Sequence, residues 1–179
     1  MNYETIADIF SANEKIRQRL EQTIANLNTG EAAARPKGEK WSIQQIVEHV
    51  SIVDDATARI CTKLAAGARD AGGVSDGGVR ISPEVGAKFE AVRNVKLEAP
   101  ARIHPTGEIS IADSLANLDE TGKTFAALRP DLENFDLSQH RFPHPYFGDL
   151  TAAEWLVVKG AHEARHTDQI GRLIDKLRK

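Results

Sequence analysis

Residues 151–178, TAAEWLVVKGAHEARHTDQIGRLIDKLR, decide the fold. Thr151 stands three residues before Glu154, the spacing at which hydroxyl and carboxylate satisfy the free N–H groups of a helix start. Trp155, the stem of Lys159, His162, His166, Ile170, Leu173 and Leu177 then recur at three- and four-residue steps, one stripe of a roughly 3.6-residue period. At the centre of that stripe lie two imidazoles. His162 and His166 are one turn apart, their Cβ atoms about 5–6 Å from each other. Burying such a group without a partner costs about 1–3 kcal/mol. Either each ring is a core histidine bonded to a protein acceptor, or both bind one transition-metal ion with a third ligand from another helix. The His-x-x-x-His spacing suits a metal, since both rings project to the same side.

Working outward, residues 133–150 (ENFDLSQHRFPHPYFGDL) read as a proline- and aromatic-rich loop. Before it, a third helix starts at Ser110 with Asp113 at cap spacing, runs through Ile111, Leu115, Leu118, Phe125 and Leu128, and closes at Pro130. Gly122 within it costs about 1 kcal/mol relative to Ala, a cost that a close helix crossing would justify. The second helix begins after Ser42, with Gln45 completing the cap, and turns Ile46, Val50, Val53, Thr57, Ile60 and Leu64 inward. The first runs over residues 3–28 along Ile6, Ile9, Phe10, Ile16, Leu20, Ile24 and Leu27, and ends at Asn28-Thr29-Gly30. Residues 66–86 carry paired glycines and read as a flexible loop; they lack the strand and the GxxxxGK[ST] pattern of a phosphate cradle. Residues 88–107, interrupted by Pro100 and Pro105, read as an irregular crossover with room for one short helix. These readings add up to an all-α four-helix bundle with a long crossover between helices two and three, as a single domain over residues 1–179.

A 179-residue chain buries roughly 70% of its unfolded surface, enough to fold without a disulfide or a structural metal. The net charge of −3 and the lack of a Lys/Arg-dense run argue against nucleic acid or a membrane surface as partner. No run of about 18 apolar residues is present to span a bilayer. The lone Cys61 and the absence of a basic-then-apolar leader in residues 1–10 fit a cytoplasmic location.

His49 lies on the margin of the second helix's apolar face, three residues after Ile46 and four before Val53. A lone histidine there is ordinarily structural; the His162/His166 pair changes its weight. If the second and fourth helices face each other, three ring nitrogens at about 2.0–2.1 Å suit zinc, and nickel or another imidazole-binding divalent ion fits as well. Three protein ligands leave a coordination position open, which points to chemistry: an ion there can activate water or a thiol, or polarise a carbonyl. Gln169, three residues beyond His166, and Gln45, one turn before His49, are the candidates for orienting a ligand or lining the pocket. Glu163 reads as a surface or interface carboxylate, Asp168 as a solvated helix residue, Trp155 as a core anchor, and His104, His140 and His144 as loop residues outside the ligand set.

Three patterns together resemble the DinB/YfiT-like superfamily: Trp41-Ser42-Ile43 followed by His49; His162-x-x-x-His166-x-x-Gln169-Ile170; and His144-Pro145-x-Phe147-Gly148-x-Leu150-Thr151 leading to Trp155. APARIHPTGEIS, residues 99–110, resembles the connection before that family's third helix. The likeness covers nearly the whole chain, and the order and spacing of its motifs are more specific than any one of them. It implies a four-helix bundle, often dimeric, with a divalent metal held at the positions of His49, His162 and His166. It implies small-molecule chemistry, with transfer or isomerisation using low-molecular-weight thiols (bacillithiol, mycothiol or glutathione) or metal-dependent hydrolysis, and no DNA polymerase activity. The expectation is a metal-dependent enzyme, with S-transfer from a thiol cosubstrate ahead of amide or ester hydrolysis. A non-catalytic metal-binding or regulatory bundle is the rival from another class.

Overall fold

The computed structural model describes residues 3–92, 95 and 98–179. Capping boxes start α1 (Ile6–Ile24) at Thr5 and Asp8, and α2 (Thr29–Ala33) at Asn28 and Glu31. Ser42 and Gln45 start α3 (Ile43–Ala71) in the same way. α4 (Pro83–Val92) and a 3₁₀ turn (Ala101–Ile103) occupy the crossover. Ser110 caps α5 (Ile111–Asn134), and the box of Thr151 and Glu154 starts α6 (Ala152–Leu177). Between α5 and α6, β1 (Phe142–His144) pairs antiparallel with β2 (Gly148–Leu150), where the sequence had suggested only a loop.

Four departures from expectation have local causes. The first helix stops at Ile24 because Asn28 and Glu31 cap a helix of their own. The second continues to Ala71, so Gly67 is helical; Gly72, at φ +71°, ends it in the left-handed region that glycine enters at little cost. Of the loop expected over 66–86, residues 72–82 remain, and they are tied down: Ser75 N–H donates to the Asn134 carbonyl, Asp136 N–H to Gly73 and Val79 N–H to Glu4. Pro130 does not end α5. It removes one donor, but the helix runs on to Asn134, carrying Leu132 into the core at 1% exposure. Of the irregular 88–107 stretch, Leu97 lies outside the described residues.

α3 packs against both α5 and α6, and α1 packs against α6, so α3 and α6 face each other as the metal reading requires. Among the described residues the core forms two apolar clusters. One gathers Ile9, Cys61, Leu64, Phe125, Leu132, Trp155 and Leu156; the other gathers Leu20, Ile46, Val50, Leu118, Ile170 and Leu173. Between these clusters α1, α3 and α6 turn charged side chains inward, and these form one buried layer. Arg17 donates to both Glu163 oxygens (2.5 and 3.0 Å), to Asp54 (3.1 Å) and to the Leu118 carbonyl (3.3 Å). Lys159 Nζ lies 3.1 Å from Asp54 and 3.2 Å from Glu163. Two cations and two carboxylates therefore satisfy one another at the centre of the bundle, the condition under which buried charge is tolerated. Glu163 is thus a core residue at 1% exposure, not the surface or interface carboxylate its helix position suggested.

Candidate metal centre

On α3 His49 is buried, and on α6 His162 and His166 are half-buried; one ring nitrogen from each lies within 4.8 Å of the other two. The Nε2 atoms of His49 and His162 are 3.1 Å apart. Ring centroids are separated by 5.0 Å for His49–His162 and His49–His166, and by 4.5 Å for His162–His166. Periodicity accounts for the pair on α6, and the α3–α6 packing supplies the third ring.

The partners of His49 and His166 settle where the protons of those two rings sit. His49 Nδ1 donates to the carbonyl oxygen of Ile103 at 2.7 Å. A carbonyl can only accept, so Nδ1 carries the proton and Nε2 presents a lone pair. His166 Nδ1 donates in the same manner to Gln169 Oε1 at 2.9 Å. Burial pushes all three rings below the usual imidazole range. His49 is lowered against the opposing effect of its Ile103 bond; His166 falls to about 4; His162 falls furthest, with the fields of His166 and His49 adding to its burial. At neutral pH the cluster is three uncharged nitrogen donors. The donor set fits a zinc- or nickel-class ion: three neutral imidazoles whose nitrogens gather within 4.8 Å, with the outward nitrogens of His49 and His166 bonded to acceptors.

Around the cluster, the Trp41 ring lies 4.8 Å from that of His49, and His104 meets Trp41 edge-on at 5.9 Å while its Nε2 donates to the Ala99 carbonyl. His144 stands outside the cluster. Its Nδ1 accepts from the N–H groups of Tyr146 (3.1 Å) and Phe147 (3.4 Å), and its ring packs 5.0 Å from Trp155. Trp155 anchors the hairpin by donating to the Phe142 carbonyl at 3.2 Å. His140 packs against Gly67 and is not part of the three-histidine group.

Of the two glutamines expected to assist, the structure brings Gln169 to the cluster. Gln45 folds back onto the start of α3, its Oε1 accepting from Ser42 N–H at 3.1 Å, so its side chain serves the cap. Asp168 is exposed and paired with Arg19. Sequence reasoning missed the Ile103 carbonyl, because a backbone acceptor leaves no mark in residue type. It also missed Glu48, which sits beside His49 at 1% exposure and bonds the segment carrying Ile103.

Residues 12–170 match the sequence profile of the DinB superfamily. The chain is 26% identical over 144 residues to YuaE of Bacillus subtilis (strain 168), described as uncharacterized, covering 80% of this chain and 83% of that relative. Its fold is similar to the crystal structure of TT2238, a four-helix bundle protein, with a TM-score of 0.62 at 20% identity over 93% of this chain and 98% of the other. At that identity the likeness speaks for the fold alone.

Proposed function

We propose that this chain, which belongs to the DinB superfamily, is a metal-dependent enzyme that uses His49, His162 and His166 to hold a divalent transition-metal ion, zinc or nickel, and joins a small thiol to an electrophilic carbon of a small-molecule substrate. The observation that carries this reading is the convergence of three neutral ring nitrogens from two helices, two of them 3.1 Å apart across 113 positions of sequence. Bound there, such an ion supplies Lewis acidity that favours the deprotonated, nucleophilic form of a thiol or water.

The protein's own groups do the positioning. The Ile103 carbonyl and Gln169 Oε1 hold the protons of His49 and His166 on the sides away from the cluster, and Trp41 walls the His49 side. A committed set of carboxylates favours thiol transfer over hydrolysis. Amide or ester hydrolysis draws on a positioned general acid or base. Glu48 is bound to Thr106 and Gly107, while Asp54 and Glu163 are bound to Arg17 and Lys159. A thiol whose proton passes to solvent needs no such group: the C–S bond forms as the electrophile's leaving group, chloride for a chlorinated aromatic, departs.

The test is a panel of thiols paired with electrophiles such as a chlorinated aromatic, with and without added zinc or nickel. The expected result is consumption of the electrophile only when thiol and metal are both present, abolished by a chelator and by His162→Ala. Turnover of an ester or amide in thiol-free buffer would replace this reading with hydrolysis. Metal-loaded protein inert toward both panels would leave a binding or regulatory bundle.

A further inference from the structure

The tautomer of His49 depends on a carbonyl in the crossover, and the local structure there is slight. Ile103 closes a three-residue 3₁₀ turn held by the Ile103 N–H to Pro100 and His104 N–H to Ala101 bonds. What fastens this segment to α3 is Glu48. Its Oε1 accepts from Thr106 N–H (2.7 Å) and from the Thr106 hydroxyl (2.8 Å), and its Oε2 accepts from Gly107 N–H (2.8 Å). Gln44, one turn from Glu48, adds a bond from Nε2 to the Gly107 carbonyl at 3.0 Å. Glu48 and His49 are consecutive, so their side chains leave the helix about 100° apart and grip the same segment at two points, residues 106–107 and Ile103.

We propose that Glu48 is a positioning residue for the metal centre: it holds the Ile103 carbonyl against His49 Nδ1 and so keeps the His49 Nε2 lone pair aimed at His162 and His166. This rests on the three-histidine metal reading above. The charge matters because a carboxylate is acceptor-only and meets three donors at once. A glutamine of the same shape turns an NH₂ group against one of them. The segment then loses a bond and gains a donor–donor contact, and the His49 ring loses its fixed acceptor. An acceptor such as the Ile103 carbonyl also raises the basicity of the imidazole it bonds, and loss of such an acceptor typically weakens metal binding about 10–100-fold.

The experiment uses the metal-stripped full chain as wild type, Glu48→Gln and Thr106→Val. Each is titrated with Zn²⁺ against a chromophoric chelator and with Co²⁺ followed by visible absorption. Glu48→Gln should bind Zn²⁺ more weakly, by up to about 10–100-fold as the Ile103 acceptor is lost, with altered Co²⁺ bands. Thr106→Val, which removes one of the three donors at an exposed residue, should move in the same direction by a smaller factor. It decides the matter if Glu48→Gln does not fold. If Glu48 is only a staple for the crossover, both variants will melt earlier without metal, yet bind Zn²⁺ with wild-type affinity and give the wild-type Co²⁺ spectrum. That result overturns the inference. A wild-type chain that binds neither ion overturns the three-histidine reading, and this inference with it.

Discussion

His49 and His166 are held by the same device, an oxygen that can only accept, placed on Nδ1. Gln169 is the more tractable of the two to test, because its role resides in a side chain. Gln169→Ala should weaken Zn²⁺ binding about 10–100-fold, measured by chelator competition, while urea unfolding of the metal-free chain stays close to wild type. Equal affinity would mean that Gln169 merely fills space. His144 makes the opposite use of its ring: Nδ1 accepts two backbone N–H bonds, and burial holds its pKa down at about 4. Its contribution to stability therefore has a definite sign. The unfolded ring takes its proton near the ordinary 6.5 and the folded one only near 4, so between those values the unfolded chain binds more protons and acid favours unfolding. The contribution is complete above pH 6.5 and is lost as the pH falls toward 4. His144→Asn keeps an acceptor near the Tyr146 N–H but cannot titrate. Urea unfolding of the metal-free proteins at pH 7 and pH 5 should show a smaller acid loss in the variant; equal losses would exclude His144 as a source of the acid sensitivity.

At the scale of elements, the caps were legible and the charged layer was not. Ser42 with Gln45 and Thr151 with Glu154 appear in the sequence at the spacing they use in the structure, because a capping box is a local arrangement. Asn28 with Glu31 has the same spacing, but it sits where the apolar stripe of α1 still continues to Leu27, and the stripe hid it. Arg17, Asp54 and Glu163 look like ordinary helix charges; only the packing of α1, α3 and α6 shows that they share one buried site. Arg17→Met should cost about 3–5 kcal/mol in urea unfolding, since it leaves two carboxylates to share Lys159. A loss below about 1 kcal/mol would place that layer in water rather than in the core. The glycines divide on similar grounds. A Cβ on Gly160 would overlap Asn13 Oδ1 and come 3.4 Å from Ile16 Cδ1, and moving the Asn13 amide aside disturbs its 3.1 Å bond to the Leu156 carbonyl. The disturbed bond and crowding outweigh the helix-propensity gain of about 1 kcal/mol, so Gly160→Ala should destabilise by about 1–2 kcal/mol. A Cβ on Gly122 meets nothing within 4 Å, so no close crossing requires that glycine, and Gly122→Ala should stabilise by up to about 1 kcal/mol. Chemical denaturation of the pair checks both signs.

Across the whole molecule, the fold and the three histidines draw on separate sources of stability. Two apolar clusters, one on each side of the charged layer, contain fully buried side chains from all four long helices: Ile9 and Leu20 from α1, Ile46 from α3, Leu118 from α5, and Ile170 and Leu173 from α6. Burial on this scale folds a chain of 179 residues without help from a metal. The amphipathic stripes that supply it were visible in the sequence; the meeting of His49 with the α6 pair was an inference from helix order, since no local pattern spans 113 residues. An ion bound there adds to a fold that already exists, in proportion to its excess over the dissociation constant. At about 100 times that constant the addition is about 2.7 kcal/mol, or roughly 5–10 °C for a domain of this size. Chelated wild-type protein should therefore keep its helical circular dichroism and a cooperative melt, and added Zn²⁺ should raise the midpoint by that amount. His162→Ala should melt cooperatively as well but show no Zn²⁺-dependent rise. Collapse of the helical signal on chelation would make the ion a structural part of the core, and an equal rise in His162→Ala would move the ion to a different set of ligands.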